Sequence, residues 1–229
     1  MQADAVVVAA GKGRRLGDPL PKQFIVLQDR PILAHTLAVF ARQMGIGRIV
    51  VVVPADWLSF VNEEIVARCH LEKIYAVIAG GRERQDSVLA GVKALPANSS
   101  HVLVHDGARP FVSTALIDRV LAGLADVDCC IPALPCADTI KRVHGEWVAE
   151  TLPREVLRLV QTPQGFERRR LLQVLARAAS DGVIATDEAA LIEKYGGTVR
   201  WVDGERRNIK ITTQFDLQIA KSLLNGNDT

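Results

Sequence analysis

The chain has 229 residues, of which 48% are hydrophobic and 24% charged, and its net charge is +2. That balance excludes a disordered chain, and the small net charge excludes a protein that coats nucleic acid through bulk charge, while leaving room for a local cationic pocket. The length suits one domain with a substantial buried core, so residues 1–229 are expected to form a single unit.

The N-terminus has no basic segment before its apolar run, and that run is too short for a signal peptide. No window approaches the ~20 apolar residues of a membrane span. Cys69, Cys129, Cys130 and Cys136 have no CxxC spacing, which reads as buried thiols in a reducing compartment. These features predict a cytoplasmic protein with neither a membrane nor a nucleic-acid partner.

Apolar runs of strand length recur at 5–10, 48–53, 73–79, 101–105 and 128–134. Continuous runs of this kind predict strands buried on both faces, as in a parallel sheet. Helical patterns lie between them, at 31–43 opening on Pro31, at 56–68 with Asp56 as N-cap, at 85–94, and at 113–125 capped by Ser113. The alternation predicts an α/β three-layer sandwich with a Rossmann-like, mostly parallel sheet.

The rhythm breaks after Pro135. Residues 139–143 (TIKRV) and 147–152 (WVAETL) alternate apolar and polar around HGE, which predicts a β-hairpin with a glycine turn. Its polar face suggests a projecting arm at about 136–156, either leaning on a second subunit through Trp147 or folded back on its own domain. Beyond it, 157–161 and 198–202 read as strands, and 167–180, 187–195 and 213–224 as helices.

The chemistry collects in loops. AAGKGRRLGDPLPKQ follows the first strand, at the carboxyl edge where open α/β sheets bind ligands. Leu16 breaks a G-x-G-x-x-G fingerprint, and the Walker A pattern also fails. Ala9, Ala10, Gly11 and Gly13 nevertheless let backbone approach a ligand, and Lys12, Arg14, Arg15 and Lys22 supply cations for phosphates. The bland alternative is a glycine turn with solvated charges. In VHDGARP, Asp106 follows a strand and is either a hard-oxygen Mg²⁺ ligand or an Asx turn, with Arg109 pairing locally or reaching a ligand. In GGRERQDSV a helix begins near Asp86 and Ser87, as a cap or as a base- or phosphate-reading edge. In RRNIKIT, Lys210 faces opposite to Ile209 and Ile211.

Together AAGKGRRLGDPLPKQ, GGRERQDSV, VHDGARP, ADTIKR, TPQGF, TDEAA and NIKIT resemble the 2-C-methyl-D-erythritol 4-phosphate cytidylyltransferases of the nucleoside-triphosphate transferase superfamily. The resemblance spans nearly the whole chain. It implies a homodimeric enzyme of the non-mevalonate isoprenoid pathway that uses CTP and Mg²⁺. By that resemblance Ala9, Ala10, Gly11 and Gly13 cradle CTP, and Gly81 and Ser87 read cytosine. Arg15, Lys22 and Lys210 surround the triphosphate as catalytic cations, and Asp106 holds Mg²⁺. Arg109, Thr139, Arg154, Thr162, Thr186 and Asp187 match substrate-side positions, with Thr139 and Arg154 reaching across the dimer. Arg82 stands where some relatives carry an acid. The implied nucleophile is a phosphate oxygen, already an anion, so no general base is needed. A ribitol-5-phosphate cytidylyltransferase, a nicotinamide-dependent dehydrogenase and a non-catalytic nucleotide-binding module are the alternatives left by the residues.

Overall fold

Runs of valine and isoleucine become strands because β-branched side chains fit a pleated surface covered on both sides. The computed structural model describes residues 1–11 and 20–225; Lys12, Gly13, Arg14, Arg15 and Leu16, all named above, lie outside them. In chain order the elements are β1 (Ala3–Val8), the ribbon β2 (Val26–Leu27) and β3 (Arg30–Pro31), α1 (Ile32–Arg42), β4 (Ile46–Val53), α2 (Leu58–Phe60), β5 (Ile74–Ala79), α3 (Arg84–Ala94), β6 (His101–Asp106) and α4 (Thr114–Gly123). There follow β7 (Cys129–Pro135), the hairpin β8 (Ile140–His144) and β9 (Trp147–Leu152), β10 (Arg158–Val160), β11 (Gln164–Glu167), α5 (Arg168–Ser180), α6 (Glu188–Lys194), β12 (Val199–Asp203) and α7 (Gln214–Asn225).

The main sheet runs β10-β7-β11-β6-β1-β4-β5, and β12 also pairs with β7. β6, β1, β4 and β5 are mutually parallel, with Val8 opposite both Asp106 and Val52. That register brings the carboxyl ends of these strands to one edge. Alternate residues of β1 face opposite ways. Ala5 and Val7 pack with Leu33, Leu37, Phe40 and Leu116 from α1 and α4. Val6 packs with Val88, Val92, Leu171 and Leu191 from α3, α5 and α6. Two apolar layers sandwich the sheet, which is the expected three-layer α/β architecture.

The expected elements are present with four differences. Strand β1 ends at Val8, so Ala9 and Ala10 already belong to the loop. Pro31 is extended (φ −57°, ψ 147°) and α1 starts at Ile32, because Pro31 pairs with Val26 in the small ribbon. Asp56 does not cap a helix. Pro54 holds the extended position before a 3-10 turn at Ala55–Trp57, which places Asp56 inside the first turn, and the chain continues through α2 into a π-helical segment at Val61–Ala67. Finally, β11 is a strand that the apolar runs did not disclose. It lies antiparallel between β6 and β7, while β7 and β12 keep the direction of β6, so that β11 and β10 are the reversed strands of the main sheet.

The hairpin forms its own two-stranded sheet, with Ile140 opposite Leu152 and His144 opposite Trp147. Gly145 turns it at φ 60°, a conformation open to glycine. Arg142 pairs with Glu150 across the strands at 2.5 Å. Val143, Trp147 and Val148 stay exposed, Trp147 at 81%.

Candidate active site

The described start of the loop after β1, residues 9–11, is held from two directions. Gln23, in the turn Lys22–Phe24, donates from Nε2 to the carbonyls of Ala9 (2.6 Å) and Gly11 (3.1 Å). Phe24 anchors that turn by stacking on Trp57 at 4.7 Å and meeting Phe60 edge-on at 5.4 Å. On the other side the end of β5 closes against the loop. A Cβ at Gly80 would collide with the Ala10 Cβ and meet Ser87 Oγ at 2.8 Å, so only glycine permits this approach. A Cβ at Gly11, in contrast, would meet no atom of the described residues within 4 Å.

Ser87 is buried in the first turns of α3. Its hydroxyl accepts from the Gly81 N–H (3.1 Å) and donates to the Glu83 carbonyl (3.2 Å), which shapes the turn between β5 and α3. Asp86 accepts from the Glu83 N–H at 3.0 Å, so this carboxylate serves the start of a helix that begins at Arg84.

Asp106, at the end of β6, is the electrostatic centre. Lys210 Nζ lies 2.8 Å from its Oδ2, Arg84 Nε 3.2 Å from Oδ1, and Arg109 Nε 3.8 Å from Oδ2. Burial alone would raise the pKa of this carboxyl, but Arg84, Lys210 and Arg109 outweigh it and hold Asp106 well below the usual carboxylate range. Arg84 is pinned from behind, since its Nη1 donates to both oxygens of Glu188 at 2.7 and 2.6 Å. Glu188 is 2% exposed, and that burial lifts its pKa against the pull of Arg84. Glu188 and Asp106 raise the Arg84 pKa despite its burial.

Lys210 is held by its backbone. Ile211 N–H donates to the Ala108 carbonyl at 2.9 Å, and Lys22 Nζ donates to the Ile211 carbonyl at 2.9 Å, so Lys22 and Lys210 reach the same segment from two sides. Asn208 is fully buried and donates to the Thr162 carbonyl at 2.8 Å, while Arg109 Nη1 donates to the Asn208 carbonyl at 2.8 Å. Gln161 completes the clamp, donating to the Glu205 carbonyl (2.8 Å) and accepting from the Glu205 N–H (3.0 Å).

Thr162 stands beneath Asp106. Its hydroxyl accepts from the Asp106 N–H at 3.1 Å and donates to His105 Nδ1 at 3.0 Å. The other ring nitrogen of His105 donates to the Arg109 carbonyl at 3.2 Å, which fixes the tautomer by its partners. Burial pulls the His105 pKa down to about 3, so the ring is neutral at pH 7. It is a structural link and not a proton acceptor for chemistry.

The remaining residues lie further out. Asp187 caps α6 through the Ala190 N–H (3.0 Å) and accepts from Gln164 Nε2 (2.7 Å), beside exposed Thr186. At the root of the arm Arg154 Nη1 donates to the Ala137 carbonyl at 2.7 Å, and Thr139 is exposed. Among the described residues no hydrogen bond or ion pair joins Thr139, Arg154 or Thr186 to the Asp106 cluster. The structure therefore gathers Ala9, Ala10, Gly11, Lys22, Gly81, Ser87, Asp106, Arg109, Thr162 and Lys210 along one sheet edge and leaves the arm residues apart. Sequence reasoning passed over Gln23, Arg84, Glu188 and Asn208, although each sits inside a motif quoted above.

A metal was expected on Asp106. Among the described residues, no group of three or more His, Cys, Asp or Glu side chains is placed to hold one. Mg²⁺ commonly binds through one or two carboxylates, with substrate phosphates and water supplying the other oxygens. A single carboxylate kept ionised at a cationic edge fits that mode of binding and no richer one.

A cationic cluster at the carboxyl edge of an open α/β sheet, beside a glycine-bearing loop, defines an α/β protein built to take a phosphate-bearing ligand. The family model described as 2-C-methyl-D-erythritol 4-phosphate cytidylyltransferase matches residues 3–226. A protein of that name from Geotalea uraniireducens is 41% identical over 226 residues, covering 98% of this chain and 97% of its own. One from Halalkalibacterium halodurans is 42% identical over 224 residues, covering 98% and 97%. The crystal structure of the Thermus thermophilus 2-C-methyl-D-erythritol 4-phosphate cytidylyltransferase superposes with a TM-score of 0.80 at 33% identity, covering 98% of this chain and 100% of that one. The 4-diphosphocytidyl-2C-methyl-D-erythritol synthase of Anaerococcus prevotii gives 0.87 at 29% identity, covering 98% and 96%.

The chain belongs to the 2-C-methyl-D-erythritol 4-phosphate cytidylyltransferase family. It is a nucleotidyltransferase, and the ribitol-phosphate and dehydrogenase alternatives are not favoured.

Proposed function

We propose that this chain transfers the cytidylyl group of CTP to 2-C-methyl-D-erythritol 4-phosphate, releasing pyrophosphate, in isoprenoid precursor synthesis. The observation that carries the reading is the meeting of Lys210, Arg84 and Arg109 on one ionised carboxylate, Asp106, beside the β1 loop, in a chain of this family. An acceptor phosphate oxygen attacks the α-phosphorus of CTP, and the bond from that phosphorus to the β-phosphate bridging oxygen breaks. Both reactants are anions, so the barrier is chiefly electrostatic and positional.

In this reading Ala9, Ala10, Gly11 and Gly13 offer backbone to the nucleotide, and Gly81 and Ser87 shape the base-reading turn. Lys22 and Lys210, with Arg15, meet the triphosphate and the charge that develops on the leaving pyrophosphate. Asp106 would hold Mg²⁺, which when bound neutralises phosphate charge. Thr162, expected on the substrate side, instead serves in this reading by positioning Asp106, because its buried hydroxyl is taken up by the Asp106 N–H and His105. Arg109, Thr186 and Asp187 lie on the acceptor side. Thr139 and Arg154 complete it from the arm of a second copy, since the exposed Trp147, Val143 and Val148 make the hairpin suited to a homodimer. The cysteines are free, as suits a reducing cytoplasm. Pyrophosphate release measured with CTP and methylerythritol phosphate, against ribitol 5-phosphate and against omission of Mg²⁺, tests the reading. Turnover only with the methylerythritol substrate supports it, and turnover only with ribitol 5-phosphate overturns it.

A further inference from the structure

Glu188 is a carboxylate that the reaction outlined above does not use. It is 2% exposed, and among the described residues its hydrogen-bond partner is Arg84 alone. Burying a charge is costly unless it is well paired, and such a pair is weak evidence for stability in itself. The geometry gives it another purpose. Arg84 is the first residue of α3 and has two working ends. Nη1 is gripped by both Glu188 oxygens, and Nε faces Asp106 Oδ1 at 3.2 Å.

The neighbouring contacts repeat the arrangement. Gln85 Nε2 donates to the Val183 carbonyl (3.2 Å), and its Oε1 accepts from the Ala185 N–H (3.4 Å). The start of α3, which carries the Ser87 turn, is thus strapped to segment 183–188, which carries Thr186 and Asp187. These partners are about a hundred residues apart in sequence, with 104 between Arg84 and Glu188. Without Glu188, Arg84 retains its link to Asp106 but loses the anchor that sets its angle. A mobile guanidinium could then compete with Lys210 for Asp106 or swing toward the incoming phosphates.

We propose that Glu188 is a positioning residue for cytidylyl transfer: by gripping Arg84 it fixes the Asp106 carboxylate and ties the nucleotide side of the site to the acceptor side. The proposal rests on the functional reading above, in which Asp106 and Lys210 meet the triphosphate. Misplacement of a reacting geometry by about an ångström costs up to ~10²-fold in rate, so Glu188→Gln is expected to lower kcat by ~10- to 100-fold. Gln has the same shape, so CTP binding without turnover, measured by calorimetry with a non-hydrolysable CTP analogue, should change less than ~3-fold, the loss of orientation falling on rate and not on ground-state affinity.

Arg84→Lys keeps the charge but cannot span both carboxylates, so it should reproduce the kcat loss and not rescue it. In the Arg84→Lys background, adding Glu188→Gln should cost nothing further, because Glu188 acts through Arg84. Additive losses in the double variant overturn the proposal. So does a lowered melting temperature with kcat intact, which marks a merely structural pair. An active wild type with unaffected variants overturns this inference alone, whereas a wild type without pyrophosphate release overturns the functional reading on which it rests.

Discussion

Lys22 and Lys210 meet at one stretch of backbone, yet they are held differently. Lys22 donates to the Ile211 carbonyl, whereas Lys210 faces the Asp106 carboxylate at 2.8 Å. Lys22→Ala and Lys210→Ala should keep a native circular dichroism spectrum, with Lys210→Ala lowering the melting temperature because it takes a cation from the buried Asp106 carboxylate. Loss of a fixed cation facing developing phosphate charge should lower kcat by ~10²–10³-fold, comparable with loss of an oxyanion donor. Near-normal turnover in both variants would remove them from the mechanism. His105 makes a separate prediction. Burial holds its folded-state pKa at about 3 against an ordinary 6.5. Between those values the unfolded chain binds a proton there that the folded chain does not. Its contribution to stability is therefore present above pH 6.5 and is lost as pH falls toward 3, at no more than ~1.4 kcal/mol per pH unit. His35, also lowered by burial, acts in the same direction. Urea unfolding followed from about pH 7.5 down to pH 5 should show a shallower slope for His105→Gln than for the wild type; parallel slopes would contradict the buried neutral ring. At this scale Asp106 and Ser87 were marked by their place in loops after strands, whereas a lone lysine is ordinarily solvated, and Lys22 and Lys210 stood out through the motifs that resemble the family. Arg84, Glu188, Asn208 and Gln23 were not, because a side chain's partner 104 residues away leaves no mark on its local sequence.

The elements were legible where burial writes itself into composition. The valine-rich runs of β1 and β4 are packed on both faces, and the structure has them where the apolar runs fall. β11 escaped because four residues, Gln164–Glu167, with a glycine and two polar ends, carry neither an apolar run nor a clear period. Asp56 was misplaced by a local rule, since a good capping residue yielded to the fixed backbone of Pro54. Contact between elements was equally hidden. Nothing in GGRERQ says that Gly80 touches the loop of β1, yet a Cβ there would collide with Ala10 and press on Ser87 Oγ at 2.8 Å. Gly80→Ala should therefore push the β1 loop away from the start of α3. The overpacking is expected to cost ~1–3 kcal/mol of stability and to raise KM for CTP more than KM for the sugar phosphate. Equal rises in both constants, or none, would show that this contact does not shape the nucleotide side.

At the scale of the whole molecule the question is whether one chain makes a complete site. The Asp106 cluster is built within a single chain from β6, α3, α6 and the segment 208–211. Thr139 and Arg154 stand at the root of a hairpin that forms its own sheet, with Trp147 81% exposed. An isolated two-stranded hairpin is marginal in water, so these apolar side chains call for a partner surface. If that partner is a second copy whose arm completes the acceptor side, two separately crippled chains should restore each other. Lys22→Ala damages the triphosphate side, and Arg154→Ala damages the arm. In a mixed dimer one of the two sites receives its lysine and its arginine from the undamaged halves. Random mixing of equal amounts gives half mixed dimers, so about a quarter of all sites, and about a quarter of wild-type activity, should return. Trp147→Glu, by charging the exposed anchor, should shift sedimentation toward monomer and lower activity together with it. Recovery of activity on mixing, abolished when both chains also carry Trp147→Glu, would place the arm in the neighbouring site. Mixed samples no more active than the average of their parents, with a wild type that sediments as monomer, would place the whole reaction within one chain.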